Sequence, residues 1–165
     1  MNKSIGKILH DLGDVWSSVT HKSCVDTENK FAPFKINPQT DKINAEGFNA
    51  FNEAFMKGDV RAVMAAMTSE PIFDAPNPQP NGTCFKGELM VRLVWEMVLH
   101  SGITFSVEEV FQAGNRAVVR WNATRQVRGK QETLRGCDIF YLENGKVAAK
   151  LTYSKAESFL GLPTP

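Results

Sequence analysis

Two aspartates occupy positions from which a carboxyl group can move protons. Asp138 lies inside the run Thr133–Tyr153, T-L-R-G-C-D-I-F-Y-L-E-N-G-K-V-A-A-K-L-T-Y. The Asn144-Gly145 dipeptide favours a type I′ turn, whose central residues both need positive φ, so the run reads as a β-hairpin. Strand alternation then puts Asp138 on the same face as Phe140. If that face is the core, the carboxyl must be paired, hydrogen-bonded or protonated, because a lone buried carboxylate is costly. Asp74 closes the short run Pro71-Ile72-Phe73-Asp74, immediately before A-P-N-P. Two carboxyl groups suit proton transfer next to a carbonyl: an ionised base near the C–H and a neutral donor near the oxygen that gains charge. Asp74, at a strand end beside a polar loop, is the candidate base. Asp138, flanked by Phe140 and facing Trp121, is the candidate donor, provided their surroundings push the two pKa values apart. Each residue also has a plainer reading. An aspartate before a proline-rich loop is a natural turn residue. Asp138 is also open to a buried ion pair with Arg125, Arg135 or Lys150, and an ionised Asp138 has no proton to donate.

The elements around these residues follow from periodicity. Residues 3–20 place Ile5, Ile8, Leu9, Leu12, Val15, Trp16 and Val19 at helical spacing, which predicts an amphipathic helix docked on the domain or across a dimer seam. Lys22 to Lys42 is polar, proline-punctuated and aperiodic, and reads as a linker. Phe48, Phe51 and Phe55 share a helix face, Lys57-Gly58-Asp59 breaks and recaps, and Val60, Val63, Met64 and Met67 give a second helix. After the short strand at Pro71–Asp74, three prolines forbid regular structure. Glu88–Leu99 is a third helix with Leu89, Leu93, Val94, Met97 and Val98 inward, and His100 suits its C-terminal end. From Ile103 the period is two, with a bulge suggested at Glu108-Glu109 and turns at Ala113–Asn115 and Arg128–Lys130. The predicted order is α-α-β-α-β-β-β-β. This is an α+β fold, a curved, mostly antiparallel sheet wrapped around helices, preceded by the N-terminal helix. The boundaries expected are an extension at 1–44, a domain at 45–155 and a tail at 156–165.

Composition excludes several classes. The 165 residues are 42 % hydrophobic and 22 % charged, enough for one core-forming domain. A net charge of +1 without a basic block gives no case for nucleic acid. No run of about 18 apolar residues spans a membrane. Three cysteines, odd in number and without C-x-x-C spacing, argue against a disulfide framework and against zinc. The expected setting is a reducing, cytoplasmic one, and no metal or cofactor is called for.

The runs F-N-A-F-N-E-A-F-M-K-G-D-V-R-A-V-M-A-A-M, P-I-F-D-A-P, F-K-G and C-D-I-F-Y-L-E-N-G-K-V resemble the nuclear-transport-factor-2-like (SnoaL-like) superfamily. The likeness covers about residues 45–155, and its layout is most similar to the Δ5-3-ketosteroid isomerases. The resemblance implies a cone-shaped domain, a homodimer through the open sheet face, and cofactor-free isomerisation, cyclisation or dehydration of a carbonyl-containing small molecule. A non-catalytic ligand-binding or oligomerisation module is the alternative. In the isomerases a base aspartate ends the first strand, where Asp74 stands, and an oxyanion-hole aspartic acid precedes the last hairpin turn, where Asp138 stands. A tyrosine on the first helix completes the hole, and Phe51 occupies its place. Limonene-epoxide-hydrolase-like members need two aspartates that Arg120-Trp121-Asn122 and Leu151-Thr152-Tyr153 do not supply. The expected pocket wall is Phe51, Phe55, Trp95, Trp121, Ala123, Arg125, Phe140, Lys150 and Thr152. With Lys150 and Thr152 facing the cavity, a polar or anionic ligand suits the last strand better than a steroid.

Overall fold

The structure, a computed structural model, describes residues 33–77, 82–127 and 129–155. The amphipathic stretch at 3–20 and the tail at 156–165 lie outside the described residues. Helix α1 is Pro38–Lys57. It begins inside the stretch expected to be linker, because Asn37 caps it: the Asn37 side chain accepts from the Gln39 N–H at 3.0 Å, with Pro38 in the first turn. Gly58 ends it at φ 71°, and Asp59 at once caps helix α2, Val60–Ala65, by accepting from the Ala62 N–H at 2.9 Å. The expected break and recap is therefore present. Met67 does not join α2; it opens strand β1, Met67–Ala75.

One strand was not expected. Strand β2, Thr83–Lys86, pairs antiparallel with β1 at Ile72–Ala75. Its four residues are too few for a period to show, and what holds it is Phe85, buried against Phe73 with ring centroids 6.3 Å apart. Helix α3, Glu88–Leu99, then leads into β3 at Thr104–Ala113, β4 at Arg116–Val127, β5 at Lys130–Glu143 and β6 at Lys146–Ser154. The α3 face that turns inward is Val91, Val94 and Trp95; Leu89, expected inward, is 69 % exposed, and Met97 is partly exposed at the cavity. The deciding contact is Trp95, whose ring packs 4.6 Å from that of Phe73 and fixes the helix rotation.

The six strands form one sheet in the order β2-β1-β6-β5-β4-β3, antiparallel except where β1 runs parallel to β6. Asn144 and Gly145 have φ of 49° and 75°, as the hairpin turn requires. The register shifts between Val107 and Glu109, the expected bulge. Asn44, buried on α1, ties the helix to two turns: its amide donates to the Gly114 carbonyl at 3.3 Å and its oxygen accepts from the Gly145 N–H at 3.0 Å. Among the described residues, no helix is long and apolar enough to cross a membrane. Among the described residues, Cys137 is a free thiol.

Candidate functional site

The inner face of the sheet and helices α1 and α3 line a half-open cavity of about 790 Å³. Alternation along β6 sends Lys150, Thr152 and Ser154 into it, while β4 contributes Trp121, Ala123 and Arg125. Phe55 of α1 and Trp95 of α3 close the wall. Seven of the nine expected wall residues thus line the cavity. The other two, Phe51 and Phe140, lie one layer behind it, around a chamber of about 20 Å³ that also touches Asp138 and Lys150. Phe51, at the place of the isomerase tyrosine, is fully buried and packs on Phe55, Trp95 and Phe140. The sequence reading missed Phe73, Phe105, Leu134 and Ser154, all of which line the cavity. The signal for Ser154 was alternation itself, since it lies two positions from Thr152; for Phe73 alternation pointed the other way once Asp74 was placed at the cavity.

The polar centre is one compact cluster. Lys150 Nζ lies 2.8 Å from Asp138 Oδ2, and both side chains are nine-tenths buried. Lys150 Nζ also donates to Thr152 Oγ1 at 2.8 Å, and Thr152 Oγ1 donates to Asp138 Oδ1 at 2.8 Å. Register explains the cluster: Asp138 is the cross-strand partner of Thr152, and Phe140 that of Lys150. Both oxygens of Asp138 therefore accept, the arrangement of a carboxylate. Of the three ion-pair partners open at the level of sequence, Lys150 is the one present, while Arg125 pairs with Glu132 at 2.8 Å. The neutral-donor role for Asp138 does not fit this pairing. The donor facing the cavity is the Lys150 ammonium, which lies 5.2 Å from the Phe73 ring centroid and 5.6 Å from that of Trp95. Burial lowers the Lys150 pKa from its usual range, and Asp138 opposes that shift.

Asp74 is on the other side of the sheet. Phe73 and Ala75 line the cavity, so Asp74 between them points away from it. The cross-strand row confirms the face: Asp74 neighbours Leu151, Leu151 neighbours Ile139, and Ile139 neighbours Val118. That row is the outer one. The two aspartates are thus not brought together, because their separation depends on the parallel β1–β6 register. The Trp121 ring lines the wall, and its indole N–H is buried without a hydrogen-bond partner among the described residues. No group of three or more His, Cys, Asp or Glu side chains able to hold a metal occurs among the described residues. Burial, helped by Asp138, pushes the Cys137 thiol above its usual pKa. That suits an inert thiol.

A family model described as a SnoaL-like domain matches residues 48–150, which spans both α1 and the Lys150 cluster. The chain belongs to the SnoaL-like family. Similar solved structures include an NTF2-like protein of unknown function from Mesorhizobium loti, 25 % identical, with a TM-score of 0.63 over 70 % of this chain and 93 % of that one. Bal32a, from a soil-derived mobile gene cassette, is 17 % identical with a TM-score of 0.61, covering 70 % of this chain and 91 % of that one. TerC, co-crystallised with polyporic acid, is 18 % identical with a TM-score of 0.58, covering 68 % and 92 %. No curated protein matches the sequence. The SnoaL-like domain therefore has its fold from these likenesses and its chemistry from the cavity alone.

Proposed function

We propose that this SnoaL-like domain binds a mainly apolar small molecule carrying a neutral carbonyl group, with the carbonyl oxygen on Lys150. The observation that carries the reading is the Lys150–Asp138–Thr152 cluster in an aromatic cavity. An ammonium has three N–H donors, and two are taken by Asp138 and Thr152. The third is left for a ligand. The cluster's formal charges already cancel, so an anionic ligand would leave one uncompensated buried negative charge. A ketone, aldehyde or quinone oxygen accepts the remaining proton without that cost. A volume of about 790 Å³ suits one or a few fused rings. That TerC, of similar fold, was co-crystallised with a small organic molecule is consistent with this use of the cone.

The test compares 2-acetylnaphthalene with 2-naphthoate, followed by quenching of tryptophan fluorescence, since Trp95 and Trp121 both line the cavity. The ketone should bind about tenfold more tightly than the carboxylate, and the Asp138→Asn, Lys150→Met double variant should lose about tenfold of ketone affinity, as expected for a hydrogen bond from a charged donor. Preferential binding of 2-naphthoate would overturn the neutral-ligand reading. The rival is ketosteroid-isomerase-like proton transfer, or a SnoaL-like cyclisation or dehydration, with Asp74 as base. It calls for a base on the cavity wall, which the outward face of Asp74 does not favour. Deuterium wash-in at the ketone's methyl carbon that vanishes in Asp74→Asn would turn the conclusion toward that enzyme.

A further inference from the structure

We propose that Lys150 is a covalent site, an amine that condenses with an aldehyde or ketone bound in the cavity to give an iminium ion whose counter-ion is Asp138. The proposal rests on the carbonyl-binding reading above and names the chemistry that follows it. Four features of the site converge on it. Lys150 is nine-tenths buried yet lines the cavity, so it is shielded from water and still within reach of a ligand. It is ringed by Phe55, Phe73, Trp95 and Phe140, and its burial among them outweighs its charge partners and lowers its pKa toward the uncharged amine. It has a proton acceptor at 2.8 Å in Asp138, and Thr152 holds that acceptor in place from the other oxygen. The chamber of about 20 Å³ beside Asp138 and Lys150 is of a size for one water molecule, the by-product of condensation.

The steps balance without an outside reagent. The ammonium passes one proton to Asp138 Oδ2, leaving a neutral pair. The amine lone pair forms a bond to the carbonyl carbon, the C=O π electrons move to oxygen, and a proton shifts from nitrogen to that oxygen to give a carbinolamine. Asp138 returns its proton to the hydroxyl, the C–O bond breaks, and water leaves. The nitrogen lone pair completes the C=N bond, leaving one N–H and one positive charge opposite a regenerated carboxylate. The charge of the pair is the same at the start and the end, so the buried site never holds a net charge.

The experiment is reductive trapping on the full chain with 2-naphthaldehyde and cyanoborohydride near neutral pH, read by intact mass and peptide mapping. The expected result is one addition, equal to the aldehyde less one oxygen, at Lys150. Lys57, whose side chain is 73 % exposed, serves as the internal reference. Lys150 should be labelled several-fold faster than Lys57, because burial lowers its pKa and leaves more of it as free amine. Lys150→Arg keeps a cation beside Asp138 and cannot form an imine, so it should abolish the fast addition. Labelling of Lys150 no faster than Lys57, or fast labelling that persists in Lys150→Arg, would overturn the proposal. Fluorescence quenching by the same aldehyde without reductant separates the two readings. Saturable quenching without trapping leaves the binding reading standing and sinks the covalent one, and no saturable quenching sinks both.

Discussion

At the scale of single residues, the Asp138–Lys150 pair sets the energetics of the site. Removing one partner of a buried ion pair leaves the other charged and unsolvated, at a cost of about 3–5 kcal/mol. Removing both leaves nothing uncompensated. Urea unfolding of Lys150→Met and of Asp138→Asn should therefore show losses of that order, while the double variant lies within about 1 kcal/mol of the parent. Additive losses in the double variant would show that the pair is not coupled. The same comparison carries a pH signature. Because burial lowers the Lys150 pKa below its ordinary 10.5, the unfolded chain holds a proton that the folded chain releases between the two values. Stability contributed by Lys150 consequently rises with pH across that alkaline window and is flat below it. The groups that act on Lys150 among the described residues are Asp138, in contact with it, Cys137, through its charge from the other face of β5, and, farther out on the cavity wall, Arg125. Cys137, with its thiol pushed up, gives a slope of opposite sign, but it is present in both proteins. The parent should thus gain stability on the double variant as pH rises toward 10.5. A constant difference over that range would contradict the lowered lysine.

At the scale of elements, the shape of the cavity depends on a glycine that carries no side chain into it. Gly136 on β5 is the cross-strand partner of Trp121 on β4, and a Cβ there would lie 2.2 Å from the indole Cζ2. The bare backbone lets the Trp121 ring lie flat against β5 at the cavity wall, edge-on to Phe105 at 5.6 Å. Gly136→Ala should displace the ring, destabilise the domain by about 1–3 kcal/mol through overpacking, and shift the tryptophan emission. An unchanged spectrum with unchanged stability would mean that the ring already moves freely. Elements encoded locally were legible in the sequence: the Asn144-Gly145 turn, the Glu108-Glu109 bulge, the Gly58-Asp59 break and the cavity-facing alternation of Lys150 and Thr152. Those set by distant partners were not. Strand β2 exists because β1 offers it an edge, and α1 starts early because Asn37 caps it. Choosing Lys150 over Arg125 or Arg135 as the partner of Asp138 needed the β5–β6 register, and placing Asp74 on the outer face needed the parallel β1–β6 register.

For the whole molecule, the register that removes Asp74 from the cavity also defines the opposite surface. Phe111, Val118 and Ile139 are successive cross-strand partners on β3, β4 and β5, so their side chains form one apolar row on the outer face. Phe111 is 60 % exposed, and Val118 and Ile139 are only half-buried. Charges of both signs flank the row: Arg120 reaches Glu108 at 2.9 Å and Glu109 at 3.4 Å, and the Arg116 guanidinium stacks 4.0 Å from the Tyr141 ring centroid. A surface with an apolar centre and mixed charges around it is self-complementary about a two-fold axis, which favours a second copy of the chain over a partner of one charge sign. The homodimer expected from the family likeness is therefore a prediction with a defined address. Sedimentation at tens of micromolar should give twice the chain mass, and Ile139→Glu should give one chain mass with the cavity intact, because the new carboxylate would be buried at the dimer centre but solvated in the monomer. Ligand quenching of Trp95 and Trp121 should survive that change, since Ile139 and Lys150 lie on opposite faces of the sheet. A dimer that persists in Ile139→Glu would place the interface elsewhere on the chain, and a parent that sediments as a monomer would leave the outer row to a different occupant.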